Sequence, residues 1–136
     1  MKHIAKFRVY YEDTDAGGVV YYANFLKFAE RARTDFLRES GYDHQRLAKE
    51  KNVFYVVKKA EIEYLAPGRL DDLIKVETII TKVGASSVEM SQNCFNQDDI
   101  KLADVKILIV CVTNEGEKIR SARIPEEVSN FFKNYL

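Results

Sequence analysis

The chain has 136 residues, 46% hydrophobic and 31% charged. That is the length and balance of one globular domain spanning 1–136, and it excludes a disordered segment. Lys plus Arg and Asp plus Glu both number 21, so no net charge draws the chain to nucleic acid or to an anionic membrane. No apolar run approaches the roughly 18 residues of a transmembrane helix, and MKHIAKFRVYYED lacks the apolar core of a signal peptide, so a cytoplasmic protein is expected.

In chain order, residues 3–11 (HIAKFRVYY) read as a first strand and 12–20 as a glycine loop. Phe25, Phe28, Ala29, Ala32 and Phe36 recur at helical spacing with one apolar face, which predicts a helix over 23–40 that ends at Gly41. Residues 43–51 predict a short second helix with Asp43 as N-cap. From residue 53 the period changes to two: Ala60, Ile62 and Tyr64 alternate with Glu61 and Glu63, a strand followed by a Pro67-Gly68 turn. Further strands are predicted over 73–83, 86–95 and 104–113. The last is apolar on both faces and reads as a central strand buried on two sides. Pro125 suits the start of a closing helix whose dry face carries Ile124, Val128, Phe131 and Phe132. Cys94 and Cys111 fall inside strand-like apolar runs and read as reduced core thiols. Strands grouped after one long helix predict an α+β fold, a mainly antiparallel sheet of five strands wrapped around that helix.

Chemistry concentrates in Glu12 to Arg33, EDTDAGGVVYYANFLKFAERAR. Carboxylates (Glu12, Asp13, Asp15) precede the pair Gly17-Gly18, and the long helix begins directly after. Glycine lets a backbone approach another group closely, and a helix start offers free N–H groups with partial positive charge. A carboxylate aimed at the place where those N–H groups point suits hydrolysis. Were the strand to continue, Asp13 would share a face with Asp15, although a structural role suits Asp13 better. Glu30 and Arg33, three apart on the helix, read as an anchoring ion pair. His3 and His44 read as isolated surface residues, with no spacing for a metal or a Ser/His/Asp site.

The run Tyr10-Tyr11-Glu12-Asp13-Thr14-Asp15-Ala16-Gly17-Gly18-Val19-Val20-Tyr21, continued by Glu30-Arg31-Ala32-Arg33, resembles the signature of hotdog-fold acyl-CoA thioesterases. The likeness is greatest to the branch holding 4-hydroxybenzoyl-CoA thioesterase and the Tol-Pal-associated thioesterases. Lys58-Lys59-Ala60, Glu63-Tyr64, Ala66-Pro67, Leu70-Asp71-Asp72 and Ile119 to Pro125 resemble the same branch. In one place the chain departs from it: Tol-Pal-associated members usually carry a histidine where this chain has Tyr22, and Tyr22-Ala23-Asn24-Phe25 is closer to the 4-hydroxybenzoyl pattern.

The resemblance implies a sheet curled around the helix, dimers with one continuous sheet, often tetramers, and active sites at subunit interfaces. It implies hydrolysis of acyl-CoA without a cofactor or metal. Asp15 would be general base or nucleophile, and the Tyr22 backbone amide would polarise the thioester carbonyl. Gly17 and Gly18 would let the backbone approach the thioester, and Tyr21 and Phe25 would line the acyl pocket. Lys82, Arg120 and Arg123 would meet the CoA phosphates across a subunit boundary. The alternative is a non-catalytic module that binds acyl carrier protein or a membrane-linked assembly. A hotdog dehydratase would need a histidine paired with a carboxylate, which His3 and His44 do not supply.

Overall fold

The computed structural model describes residues 1–136. Strand β1 (His3–Arg8) stops short of the expected residue 11, because the chain turns into a single 3-10 turn at Tyr11–Asp13. Helix α1 (Asn24–Arg38) follows, and every residue of the predicted apolar stripe is buried on it. Phe28, Ala29 and Ala32 are wholly inaccessible. A fully buried Phe side chain is worth about 1.5–3 kcal/mol, so this stripe is what holds α1 to the sheet. Gly41 ends the segment at φ +84°, a left-handed value at which a Cβ is unfavourable. The second helical segment, α2, is one α-turn (His44–Arg46) capped by the Asp43 side chain as expected, running into a π-turn over Leu47–Lys51.

Four long strands come next: β2 (Phe54–Tyr64), β3 (Leu73–Val83), β4 (Ser87–Phe95) and β5 (Lys101–Glu115). A short β6 (Lys118–Ser121) was not expected from the sequence and pairs with the end of β5. Helix α3 (Glu126–Lys133) closes the chain, with Val128 and Phe132 buried. The sheet order is β1-β3-β4-β5-β2, all antiparallel. It curls around α1 and places the core between the helix and one sheet face. This is the expected α+β sheet over a helix, with one strand more.

Three details differ from expectation. β5 is central, but its second face is only partly covered: Val112 is buried, Leu108 and Val110 are half-buried and Lys106 is exposed. The expected turn at Pro67-Gly68 falls instead at Leu70-Asp71, closed by the Asp72 amide donating to the Arg69 carbonyl. β2 and β3 are not neighbours, so the segment between them crosses the end of the sheet. His3 is not a surface residue: its side chain is 9% exposed, its ring lies 5.1 Å from Phe36, and its Nε2 is 3.5 Å from Glu39. Cys94 and Cys111 are buried free thiols, as expected.

Candidate active site

The segment crossing the sheet end is what shapes the Asp15 loop. Leu65 and Ala66 donate to the Leu102 carbonyl, and Val20 donates to the Gly68 carbonyl at 2.8 Å. Val19 and Arg69 form an isolated antiparallel bridge. A Cβ on Gly68 would lie 2.8 Å from Val20 Cγ2, so only glycine admits this contact. Gly18 sits at φ +78° and lets the loop reverse.

Asp13 and Asp15 do different things. Asp13 is 4% exposed. Its Oδ2 accepts from the Tyr10 amide at 2.9 Å and its Oδ1 from Asn24 Nδ2 at 2.8 Å. It ties the loop to the first residue of α1, and no continuing strand puts it beside Asp15. Asp15 is exposed. Its Oδ1 accepts from the Gly17 amide at 2.8 Å and the Val19 amide at 3.4 Å, which fixes the carboxyl's direction as in an Asx-turn. Its Oδ2 has no partner in the chain.

The turn into α1 is pinned in three places. Tyr21 N–H donates to the Asp13 carbonyl, Asn24 N–H donates to the Tyr21 carbonyl, and the Tyr64 hydroxyl donates to the Tyr22 carbonyl, each at 2.8 Å. The Tyr22 amide itself donates to no acceptor in the chain. Asp15, Tyr21, Tyr22, Phe25 and Tyr64 line one open cleft of about 440 Å³ floored by Val20, Ala66 and Pro67. Phe25 is 3% exposed and packs edge-on to Phe28 and Tyr64, so it is cleft floor and core at once. The Tyr21 and Tyr22 rings are 4.9 Å apart, and the Tyr22 phenol pushes the Tyr21 phenol above its ordinary pKa.

The structure thus brings Asp15, Gly17, Gly18, Tyr21, Tyr22 and Phe25 together. It does not bring Lys82, Arg120 and Arg123 to them. Lys82 lies near the end of β3 and pairs across to Glu89, and Arg120 in β6 pairs across to Thr113 and bridges Glu115 at 3.1 Å. All three are exposed, at the opposite end of the sheet from the Asp15 loop. The Glu30–Arg33 ion pair does not form. Arg33 reaches into the core to donate to Gln92 Oε1 at 2.9 Å, and burial lowers its pKa against the opposing pull of Glu30. Gln92, fully buried, also donates to the Ala29 carbonyl and Thr78. Sequence reasoning gave Asn24, Tyr64 and Gly68 no part in the site. Asn24 follows the N-cap Ala23 and caps nothing; it acts through its bond to Asp13, eleven residues back, and Tyr64 and Gly68 act through contacts longer still.

The thioesterase-like superfamily model matches residues 9–132. The chain belongs to that family. It is a thioesterase-family enzyme with the hotdog fold. It is 42% identical over 126 residues to the acyl-CoA thioester hydrolase YbgC of Escherichia coli O6:H1, covering 93% of this chain and 92% of that protein. A probable thioesterase from Bartonella henselae superposes with TM-score 0.85 at 33% identity, covering 92% of this chain and 100% of the other. A variant 4-hydroxybenzoyl-CoA thioesterase, solved with 4-hydroxybenzoyl-CoA, superposes with TM-score 0.89 over 96% of this chain and 97% of the other. At 15% identity that likeness is one of fold. The thioesterase fold therefore carries, on this chain, a carboxylate and an unpaired amide in one cleft.

Proposed function

We propose that this thioesterase hydrolyses acyl-CoA thioesters to the free acid and CoA, with Asp15 as general base or nucleophile and the Tyr22 amide as oxyanion donor. The observation that carries the reading is the pairing of a free Asp15 carboxylate oxygen with an unpaired Tyr22 amide in one cleft. Hydrolysis of a thioester needs water activated, or replaced by a better nucleophile, and the carbonyl oxygen stabilised as it becomes negative. A thiol ionises near pH 8–9 and leaves with little help. One carboxylate and one amide therefore suffice. In the general-base route Asp15 takes a proton as the water oxygen attacks the carbonyl carbon; the C–S bond of the tetrahedral intermediate then breaks, and CoA leaves as the thiolate, to which the proton passes. In the covalent route the Asp15 oxygen attacks, CoA thiolate leaves, and water then cleaves the mixed anhydride. The acyl-CoA relative of E. coli supports the CoA leaving group.

Gly17 and Gly18 would let the loop close on the thioester, and Tyr21 and Phe25 would border the acyl group. Lys82, Arg120 and Arg123 would meet the CoA phosphates from a second subunit. β2 supports such an assembly, as an edge strand that pairs only with β5 and carries no buried residue. Dimers or tetramers with interface sites follow from this reading.

The test is release of free thiol from short-chain, long-chain and benzoyl-CoA, with Asp15→Asn alongside. Asp15→Asn is expected to lower kcat by at least about a hundredfold while the chain stays folded. An active Asp15→Asn would sink the assignment, and a wild type inert on every ester would move the reading to a module that binds acyl carrier protein.

A further inference from the structure

The Tyr22 amide is useful only if it points at a fixed place. An oxyanion donor works because it is already aimed when charge develops. Two peptide planes meet at the Tyr22 α-carbon. One carries the Tyr22 N–H and the Tyr21 carbonyl, and the Asn24 amide holds that carbonyl. The other carries the Tyr22 carbonyl, and only the Tyr64 hydroxyl holds it, at 2.8 Å. The first is a backbone bond that any variant keeps. The second comes from a side chain 42 residues away, at the end of β2.

We propose that Tyr64 is a positioning residue for hydrolysis: by donating to the Tyr22 carbonyl, its phenol fixes the turn before α1 and so aims the Tyr22 amide into the cleft. The proposal rests on the reading of that amide as oxyanion donor. Three further observations support it. Tyr64 is 44% exposed, so its burial adds little to the core. Its ring meets Tyr22 and Phe25 edge-on, at 6.2 and 6.0 Å between centroids, so deleting the hydroxyl leaves the ring seated. Burial, and then the Tyr22 phenol, raise the Tyr64 pKa above its ordinary 10.0, which favours the protonated, donating form. β2 is anchored by its pairing with β5, Tyr64 opposite Ala103, so Tyr64 aims the turn from a rigid element.

The experiment compares wild type, Tyr64→Phe and Tyr55→Phe. Tyr55 is on the same strand and its buried hydroxyl has no partner, so its removal is the same chemical change away from the cleft. In Tyr64→Phe, kcat is expected to fall on the order of tenfold, a part of what losing a whole oxyanion donor costs, with KM within about twofold. Affinity for a thioether analogue of acyl-CoA, which has no carbonyl to polarise, should not change. The Tyr22 amide resonance should move in the NMR spectrum, and Tyr55→Phe should leave kcat as it was. A merely structural role would lower the thermal midpoint and not split kcat from KM. Tyr64→Phe at full rate beside an inactive Asp15→Asn overturns this proposal alone, as does a loss confined to KM, an unmoved Tyr22 resonance or an equal loss in Tyr55→Phe. A wild type that hydrolyses no acyl-CoA overturns the reading of the site and this proposal with it.

Discussion

Asp13 and Asp15 are two residues apart and have opposite surroundings. The Asp13 carboxylate is buried and accepts on both oxygens, one bond coming from Asn24. A buried charge is tolerated only while its hydrogen bonds are made. Asn24→Ala would leave Oδ1 of Asp13 without its donor. A hydrogen bond to a charged group is worth about 1.5–3 kcal/mol, and Asn24→Ala should lose about that much in urea unfolding. Because Asn24 is the first residue of α1, activity should drop with it. Asn24→Ala unfolding at the wild-type midpoint would mean that Asp13 finds its partner elsewhere. Asp15 keeps a free oxygen because the loop amides of Gly17 and Val19 take only Oδ1. That leaves one oxygen for water and holds the other still.

At the scale of elements, the site is where three pieces of backbone meet: the Asp15 loop, the start of α1 and the segment that leaves β2. The contact that admits no side chain is at Gly68. Its missing Cβ would stand 2.8 Å from Val20 Cγ2 and 3.4 Å from Leu102 Cδ1, and Val20 is 5% exposed and adjoins Tyr21. Gly68→Ala must displace Val20. Overpacking a dense site costs about 1–3 kcal/mol, and here the displacement also moves the turn that carries the Tyr22 amide. Thermal denaturation should show the loss of stability, and kcat should fall further than stability accounts for. Unchanged kcat in Gly68→Ala would mean that the loop is not held by this packing.

At the scale of the whole molecule, one core lies between α1 with α3 and the curled sheet, and both thiols are in it. Burial pushes the Cys94 thiol from its ordinary 9.0 up to about 12 and the Cys111 thiol up to about 11. Both folded values lie above the unfolded one, so the folded chain keeps protons that the unfolded chain has released. Their contribution to stability is whole below pH 9.0 and is lost as pH rises toward 11 and 12, because stability falls with pH wherever the folded state binds more protons. The urea midpoint should therefore decline above pH 9, and Cys94→Ala should decline less steeply. Parallel declines in the two proteins would assign the loss to other groups. Neither thiol should react with a thiol reagent near neutral pH, so the protein adds no background to an assay of released CoA. The cleft carries exposed Tyr21, Tyr22 and Tyr64. No helix is long and apolar enough to cross a membrane.

What the sequence determined by itself was everything carried by local period and local chemistry. The α1 stripe from Phe25 to Phe36, the Asp43 cap, the Gly41 stop, the dry face of α3 and the four long strands could be read because each signal lies within a few residues of the element it specifies. The Asp15 loop was legible by its motif, and its resemblance to the hotdog thioesterases agrees with the family match. Only the tertiary structure decided that β2 pairs with β5 and not with β3, that Arg33 answers Gln92 and not Glu30, and that His3 packs against Phe36. It also placed Tyr64 and Gly68 beside the Asp15 loop, and Lys82, Arg120 and Arg123 at the far end of the sheet. These outcomes turn on which distant segments meet. Strand order and side-chain partners are chosen by burial over the whole chain, and a periodicity of two or 3.6 residues carries no record of them.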